Sequence, residues 1–232
     1  MKLAIMQPYL FPYIGYFQLL ASVDEFVVYD NIQYTKKGWI NRNRFLQNGS
    51  DVMFSVPLAK DSDYLDVRDR RIADAYAPAS LLGKFAGAYA KAPHYAETRP
   101  LLEDVFGQDE RNLFAFLHHG LVRTAAHLAV DTTIRVSSTV SVDHALTGQD
   151  KVLALCEALG ATTYINPMGG VDLYSRSDFA ARGIELRFLQ PLPLEYAQFG
   201  QPFVPWLSII DVLMFNPLDT VRGWLHSHHE LV

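Results

Sequence analysis

The sequence has little cysteine and no long hydrophobic run. Its only cysteine among 232 residues is Cys156, which excludes an intramolecular disulfide framework and fits a reducing compartment. No run approaches the roughly eighteen apolar residues of a membrane span. The N-terminal apolar run is interrupted by Gln7, Pro8 and Pro12, unlike the continuous core of a signal peptide. We therefore expect a cytoplasmic protein without a membrane span.

The motifs of several common enzyme classes are also absent. There is no G-x-G-x-x-G, no Walker A lysine and no G-x-S-x-G. The histidines form no i, i+4 pair on a predicted helix, and His226, His228 and His229 lie in a tail that we expect to be mobile. The sequence therefore predicts no metal site. The net charge of -5 argues against a general nucleic-acid binder.

What the sequence does contain is an alternation of apolar strands and amphipathic helices. Strand-like segments at 3–6, 26–31, 132–140, 162–166 and 183–188 are separated by helical patterns, which implies parallel pairing with right-handed crossovers. We predict an α/β fold with a mostly parallel, Rossmann-like sheet resembling nucleotidyltransferase folds. The chain length fits a single domain over residues 1–232.

Three further segments are added to this alternation. Asn48-Gly49 between two alternating segments predicts a β-hairpin. Residues 78–129 carry Ala, Leu and Phe at helical spacing and predict an insert of three helices, broken at Pro93 and Pro100. Residues 203–225 predict one or two helices interrupted at Asn216-Pro217; the last of them fits a homodimer surface as well as it fits the core.

The loop over residues 7–16 leads from the first strand into a helix start. Unpaired amides at a helix N-terminus favour an anion. The loop resembles the phosphate-handling turn of cytidylyltransferase-like proteins, which ends H-x-G-H, but Tyr13 and Tyr16 replace both histidines. Tyrosine can hydrogen-bond a phosphate without supplying an imidazolium charge. We predict that Tyr13 and Tyr16 position the reacting group; the predicted cradle consists of Gln7, Pro8, Tyr9 and Gly15.

A basic stretch follows the second strand. It contains no acid between Asn31 and Ser50, which favours an anionic, phosphate-bearing ligand over an ordinary solvated loop. Arg42 and Arg44 alternate in an extended segment, as a clamp on phosphate or carboxylate requires. Aromatic residues within it either stack on the ligand or pack in the core. The predicted binding residues here are Asn31, Gln33, Lys36, Lys37, Trp39, Arg42 and Arg44, with Tyr34 beside them.

Asp30 ends the second strand, where open α/β sheets hold their ligands. It is the candidate general base or hydroxyl ligand. With a phosphate it could recruit magnesium, but one carboxylate does not define a metal site, so no cofactor is assigned.

Polar residues later in the chain extend the predicted site. Ser137 and Ser138 form a candidate pair facing phosphate or carboxylate. Gly169 and Gly170 follow the predicted strand over 162–166. Flexible glycines there either let the backbone approach a ligand closely or form a plain turn. Asp211, in an apolar run, requires a partner, and we expect one of the arginines above. The further candidates are Tyr164, Asn166, Gly169, Gly170, Tyr174 and Gln198.

Together these segments resemble the WbqC-like family of bacterial proteins. The matching segments are QPYLFPYIGYF (7–17), VYDNIQYTKKGWINRNRF (28–45), SST (137–139), YINPMGGVDLY (164–174), ARGIELRF (181–188), EYAQ (195–198) and PWLSIIDVLMFN (205–216). The resemblance implies a setting in O-antigen or other surface-polysaccharide biosynthesis. It suggests a transferase acting on a nucleotide-activated sugar or on a phosphorylated or adenylated donor. Two alternatives stay open: a non-catalytic nucleotide-sugar-binding scaffold, and an enzyme that joins an amino acid to an amino sugar.

Overall fold

The computed structural model describes residues 1–232 and contains a six-stranded sheet. In sheet order the strands are β5 (Thr133–Val136), β2 (Glu25–Val28), β1 (Lys2–Met6), β6 (Thr163–Pro167), β7 (Glu185–Pro191) and β8 (His229–Leu231). The first five are parallel and β8 is antiparallel to β7. This is a doubly wound order that reverses between β1 and β6. The predicted α/β class with a mostly parallel sheet is confirmed.

The sheet is covered by helices on both faces because its central strands are apolar on both sides. Leu3 and Ile5 of β1 face one cluster, and Ala4 faces the other. The helices on the Ala4 face are α1 (Ile14–Ala21), α7 (Ile209–Phe215) and α8 (Leu218–Ser227), and those on the Leu3 and Ile5 face are α5 (Gly148–Ala158) and α6 (Arg176–Ala181). None of the helices combines the length and hydrophobicity that crossing a bilayer requires.

A large insertion separates β2 from β5. It begins with the hairpin β3 (Arg42–Gln47) and β4 (Ser50–Ser55), followed by α2 (Pro78–Tyr89), α3 (Tyr95–Gly107) and α4 (Leu113–His127). Asn48 and Gly49 have φ of 51° and 76°, the positive values that the predicted two-residue turn requires. The three predicted helices are present.

Two expectations about this region and the C-terminus are wrong. Pro100 lies inside α3 and does not end it, because burial of the following turns against the core outweighs one lost backbone donor. The C-terminal tail is not free: it forms β8, and Gln18 Nε2 donates to the carbonyls of Trp224 (3.1 Å) and His228 (2.9 Å). Val221 and Leu225 of α8 are buried within the same chain, so their surface is core.

Candidate functional site

A cavity of about 490 Å³ opens at the carboxyl edge of the parallel sheet. Two of its lining residues, Tyr29 and Tyr174, follow β2 and β6, the strands on either side of β1. The cavity, called the crevice below, therefore lies beside the point where the strand order reverses, which is where doubly wound sheets bind ligands. Its polar lining consists of Asn31, Gln33, Asp66, Arg68, His144, Thr147 and Lys151.

Lys151 is the buried cation of the crevice. Its side chain comes from the first turns of α5, and the residue is 8% exposed. Its Nζ donates to the carbonyl of Asn31 at 3.1 Å and lies 5.2 Å from the ring centroid of Tyr29. Burial lowers the pKa of Lys151, against a smaller opposing effect of Asp66 and Asp30. A buried ammonium that forms no ion pair is stabilised by an anionic ligand.

The N-terminus of α5 faces the same crevice. The helix starts at Gly148, and Thr147 caps it without a side-chain hydrogen bond. Both residues line the cavity. The first amides of a helix have no intrahelical acceptor and carry partial positive charge. The amides and Lys151 together form a site suited to an oxyanion.

Asp30 lies behind the crevice and is 4% exposed. Its Oδ1 accepts from Ser137 Oγ at 2.8 Å and from the Ser138 amide at 2.9 Å, while the Arg68 guanidinium lies 3.8 Å from its Oδ2. Burial raises the pKa of Asp30, but the hydrogen bonds from Ser138 and Ser137 outweigh it and leave the pKa below its ordinary value. Asp30 is therefore ionised at neutral pH.

Ser137 and Ser138 do not face an open ligand site. The predicted strand over 132–140 ends at Val136, and a 3-10 turn over Ser137–Thr139 brings both serines to Asp30. Ser137 is fully buried. Of the two predicted groups, phosphate and carboxylate, the pair faces a carboxylate, and it is that of Asp30 in the same chain.

Asn31 and His144 form a second fixed contact at the rim. Asn31 Nδ2 lies 2.9 Å from His144 Nδ1, and His144 Nε2 lies 3.0 Å from the carbonyl of Val140. Both contacts are satisfied by the histidine tautomer that carries its proton on Nε2. The main-chain carbonyl of Asn31 separately accepts a hydrogen bond from Lys151 Nζ.

Arg68 is attached to the helical insert through Asn112. Asn112 Oδ1 accepts from the Ala115 amide and caps α4, while its Nδ2 donates to the Arg68 carbonyl at 2.5 Å. The Arg68 amide donates to the Asp30 carbonyl at 3.1 Å. Sequence reasoning missed Arg68, Asn112, His144 and Lys151, because each lies far along the chain from the predicted loops and in no motif.

The loop before α1 is closed and not an open cradle. Tyr16 is 3% exposed, and its hydroxyl donates to the Gln7 carbonyl at 3.1 Å. Burial raises the pKa of Tyr16. A Cβ on Gly15 would lie 2.4 Å from the Tyr13 ring, so that ring covers the start of the helix. Pro8 is also buried, and Tyr9 packs on Tyr16 and on Trp39.

Acids outside the basic stretch pair with two of its four cations. Lys36 pairs with Asp63 at 2.8 Å and Arg44 pairs with Asp51 at 3.1 Å, while Arg42 Nε donates to the Gly38 carbonyl at 2.8 Å. Lys37 is exposed without such a contact.

The Trp39 ring contacts the guanidinium groups of Arg42 and Arg44. Both guanidiniums lie over its ring, Arg42 at 5.9 Å and Arg44 at 5.3 Å from the centroid, which confirms that they share a face of β3. The indole is therefore occupied by the chain's own cations. Its predicted stacking on a ligand would require Arg44 to move.

Asp211 has no arginine partner, contrary to the expectation. It is fully buried, and it accepts from Tyr89 Oη, Tyr196 Oη and Gln198 Nε2, each at 2.7 Å. Neutral donors satisfy both carboxylate oxygens, so an arginine is not needed.

The glycine turn after β6 is built around Asn166. Tyr164 Oη donates to Asn166 Oδ1 at 3.2 Å. A Cβ on Gly170 would lie 1.8 Å from Asn166 Nδ2, whereas one on Gly169 would meet nothing within 4 Å. The second glycine is therefore required for packing, and the first is not.

We expect Gly170→Ala to destabilise the protein by about 1 to 3 kcal/mol, because Asn166 or the turn must shift to admit the methyl group. Gly169→Ala is the matched control, and its effect should stay within about 0.5 kcal/mol. Urea unfolding of both variants measures the difference. Equal stabilities would contradict the packing described for Asn166.

Comparison with known proteins gives one family and one relative. The model of the WbqC-like protein family matches residues 7–223. The uncharacterized protein Rv1507c of Mycobacterium tuberculosis is 27% identical over 218 residues, which cover 93% of each chain. No solved structure matches significantly.

Proposed function

The chain belongs to the WbqC-like protein family, and on that premise we propose that it is a transferase that binds a phosphate-bearing donor in the crevice. The donor class is a nucleotide-activated sugar or a phosphorylated or adenylated compound. The proposed setting is cytoplasmic synthesis of bacterial O-antigen or another surface polysaccharide.

The buried Lys151 carries this proposal. A protein tolerates an unpaired buried ammonium at a cost in stability, and here the cation lies beside the first amides of α5 at the ligand edge of the sheet. Both groups favour an oxyanion. A diphosphate bound there would give the Lys151 ammonium an anionic partner and extend toward Arg68 at the rim.

The remaining residues have supporting roles in this arrangement. Asp30 has a pKa below its ordinary value, so it is a weak base, and its role is to orient Arg68 and bind a hydroxyl more than to accept a proton. Tyr13 is half-buried, packs on Trp206 and does not line the crevice, so its proposed role in positioning the reacting group is indirect. Tyr16 acts through the Gln7 loop.

The test is a thermal-shift and calorimetry screen with nucleoside diphosphates, nucleotide sugars and acyl-adenylate analogues, with and without magnesium. We expect saturable binding of one class that is lost in Lys151→Met and kept in Arg44→Ala. Loss in Arg44→Ala alone would move the site to the basic stretch. Absence of a shift with every anionic compound would refute the proposal.

Two alternatives have observations in their favour. Tyr16 replaces a motif histidine and is buried, which favours a scaffold that binds a nucleotide sugar without turnover. Asp66 faces the crevice with Arg68 and Lys151, and charges of both signs suit an amino acid, as an amide-forming enzyme requires. Chromatography of the incubated ligand separates them: a scaffold returns it intact, and the amide-forming enzyme consumes it only with an amino acid present.

A further inference from the structure

A second cavity, of about 630 Å³, lies away from the sheet edge and shares no lining residue with the crevice. It is bounded by the hairpin turn after β3, by the C-terminal half of α2 and by the loop between β7 and α7. Its polar and aromatic lining side chains are Asn48, Lys91, Gln198, Phe199 and Gln201, and its apolar ones are Leu46, Ala88 and Ala90.

The aromatic ring at the rim is held in an unusual backbone conformation. Phe199 has φ of 50° and remains 45% exposed. Phe199 and Gly200, with φ of 50° and 70°, are the central residues of a tight turn in which the Gln201 amide donates to the Gln198 carbonyl at 3.1 Å, and this turn places the ring at the rim. Its ring packs nearly perpendicular to that of Phe215, with centroids 4.8 Å apart, and the exposed part of Phe199 is left for a ligand.

The loop that carries this ring is held in place by the buried side chain of Gln198. Gln198 is 1% exposed; its Oε1 accepts from the Val204 amide at 2.7 Å, and its Nε2 donates to Asp211 at 2.7 Å. The buried carboxylate therefore fixes one wall of the cavity in advance, which lowers the entropic cost of binding.

The residues that line this cavity disfavour two classes of ligand, anionic ligands and an added peptide strand. Lys91 is the single charged side chain and is exposed, so a phosphate or nucleic acid finds no desolvated cation. A peptide strand cannot be added along β3, because the Arg44 carbonyl already accepts from the Ser208 amide and the Leu46 amide already donates to Tyr89 Oη.

We propose that this cavity binds a neutral pyranose unit of a saccharide, with an apolar C–H face of the sugar on Phe199 and its hydroxyls on the amides of Asn48 and Gln201. A pyranose carries hydroxyls that both donate and accept around an apolar face, which matches amides that both donate and accept beside an aromatic ring. Gly49 and Gly87 leave the walls without side chains. The inference does not depend on donor binding in the crevice.

The experiment blocks the cavity without disturbing the fold. Gly87 lines it, lies on the exposed side of α2 and has nothing within 4 Å of an added Cβ; Gly83, one turn earlier, is equally open but does not line it. Leucine is a better helix former than glycine, so Gly87→Leu and Gly83→Leu should both keep or raise the melting temperature.

Saturation-transfer difference NMR with methyl glycosides of glucose, galactose, mannose and N-acetylglucosamine measures binding. We expect saturable transfer to at least one glycoside, lost in Gly87→Leu and Phe199→Ala and retained in Gly83→Leu and Lys151→Met. If no glycoside gives a saturable signal, or if Gly87→Leu binds like the unaltered protein, the saccharide site is refuted. Loss in Lys151→Met alone would assign the sugar to the crevice.

Discussion

Lys151→Met is expected to weaken binding of a phosphate-bearing ligand by roughly ten- to a hundredfold while leaving the melting temperature unchanged or raised. The affinity falls because one charge-assisted hydrogen bond to the ligand is lost. Stability does not fall, because methionine fills a similar volume without a buried charge that forms no ion pair. Calorimetric titration with the ligand found in the screen, beside thermal unfolding of the free protein, measures both effects.

The control is Lys37→Met, which removes an exposed lysine of the basic stretch. It should change neither affinity nor stability beyond the small effects of a surface substitution. A reversed result, with Lys37→Met losing the ligand and Lys151→Met retaining it, would assign the anion to the basic stretch. Unfolding of Lys151→Met would mean that the Asn31 carbonyl contact is structural.

The same lysine gives the binding a pH dependence of known sign. Burial lowers the pKa of Lys151 below its ordinary value, so the folded state loses this proton at a lower pH than the unfolded chain. Stability therefore gains as pH rises from the folded pKa to the unfolded value. Ligand affinity should decline over the same alkaline range, because the neutral amine no longer attracts an anion.

Asp211→Ala is expected to destabilise the protein by about 3 to 5 kcal/mol. The substitution leaves three donors without an acceptor, those of Tyr89, Tyr196 and Gln198, and an unsatisfied buried donor costs about 1 to 3 kcal/mol. It also removes the hydrogen bond to Asp211 that holds Gln198, a lining residue of the second cavity. Urea denaturation, with the slope compared between variants, measures the loss of stability.

Asp211→Asn is the informative control for this network. Its amide oxygen can still accept from Tyr196 and Gln198, so only the Tyr89 hydroxyl proton loses its acceptor and the change should be less destabilising than alanine. If asparagine and alanine destabilised the protein equally, the carboxylate charge would matter and the hydrogen bonds would not.

Asp211 also sets a pH dependence of stability. Burial raises its pKa, against smaller opposing effects of its three donors. A carboxyl group with a raised pKa in the folded state contributes its stability below the unfolded pKa, about 3.9, and loses it as pH rises through the folded pKa. As pH rises from about 3.9 to the folded pKa of Asp211, the unaltered protein should therefore lose stability relative to Asp211→Asn.

The sequence predicted the sheet strands and the hairpin well because their signals are local. The apolar run before Gln7 and the Asn48-Gly49 pair each define an element through a few neighbouring residues. Local signals also produced the errors: Pro100 is a helix breaker by itself, but the buried turns around it keep α3 intact. The C-terminal tail is too short and polar to indicate a strand until β7 offers an edge.

Local signals also predicted one part of the candidate site and missed another. Asp30 and Tyr174 were predicted because they follow strands, and the parallel order brings the ends of these strands to one edge. The acids that pair with two cations of the basic stretch, Asp51 with Arg44 and Asp63 with Lys36, lie outside that stretch, so its local pattern does not show them.

The sequence by itself determined the α/β class, the helical insert and the edge of the sheet that carries polar residues, since each depends on periodicity or on residues adjacent in the chain. Only the tertiary structure decided which charges remain unpaired. Lys151 reaches the Asn31 carbonyl from 120 residues away, and Asp211 meets Tyr89 across 122. Whether a charge is neutralised depends on burial and on distances of a few ångströms between such segments, which no local pattern encodes.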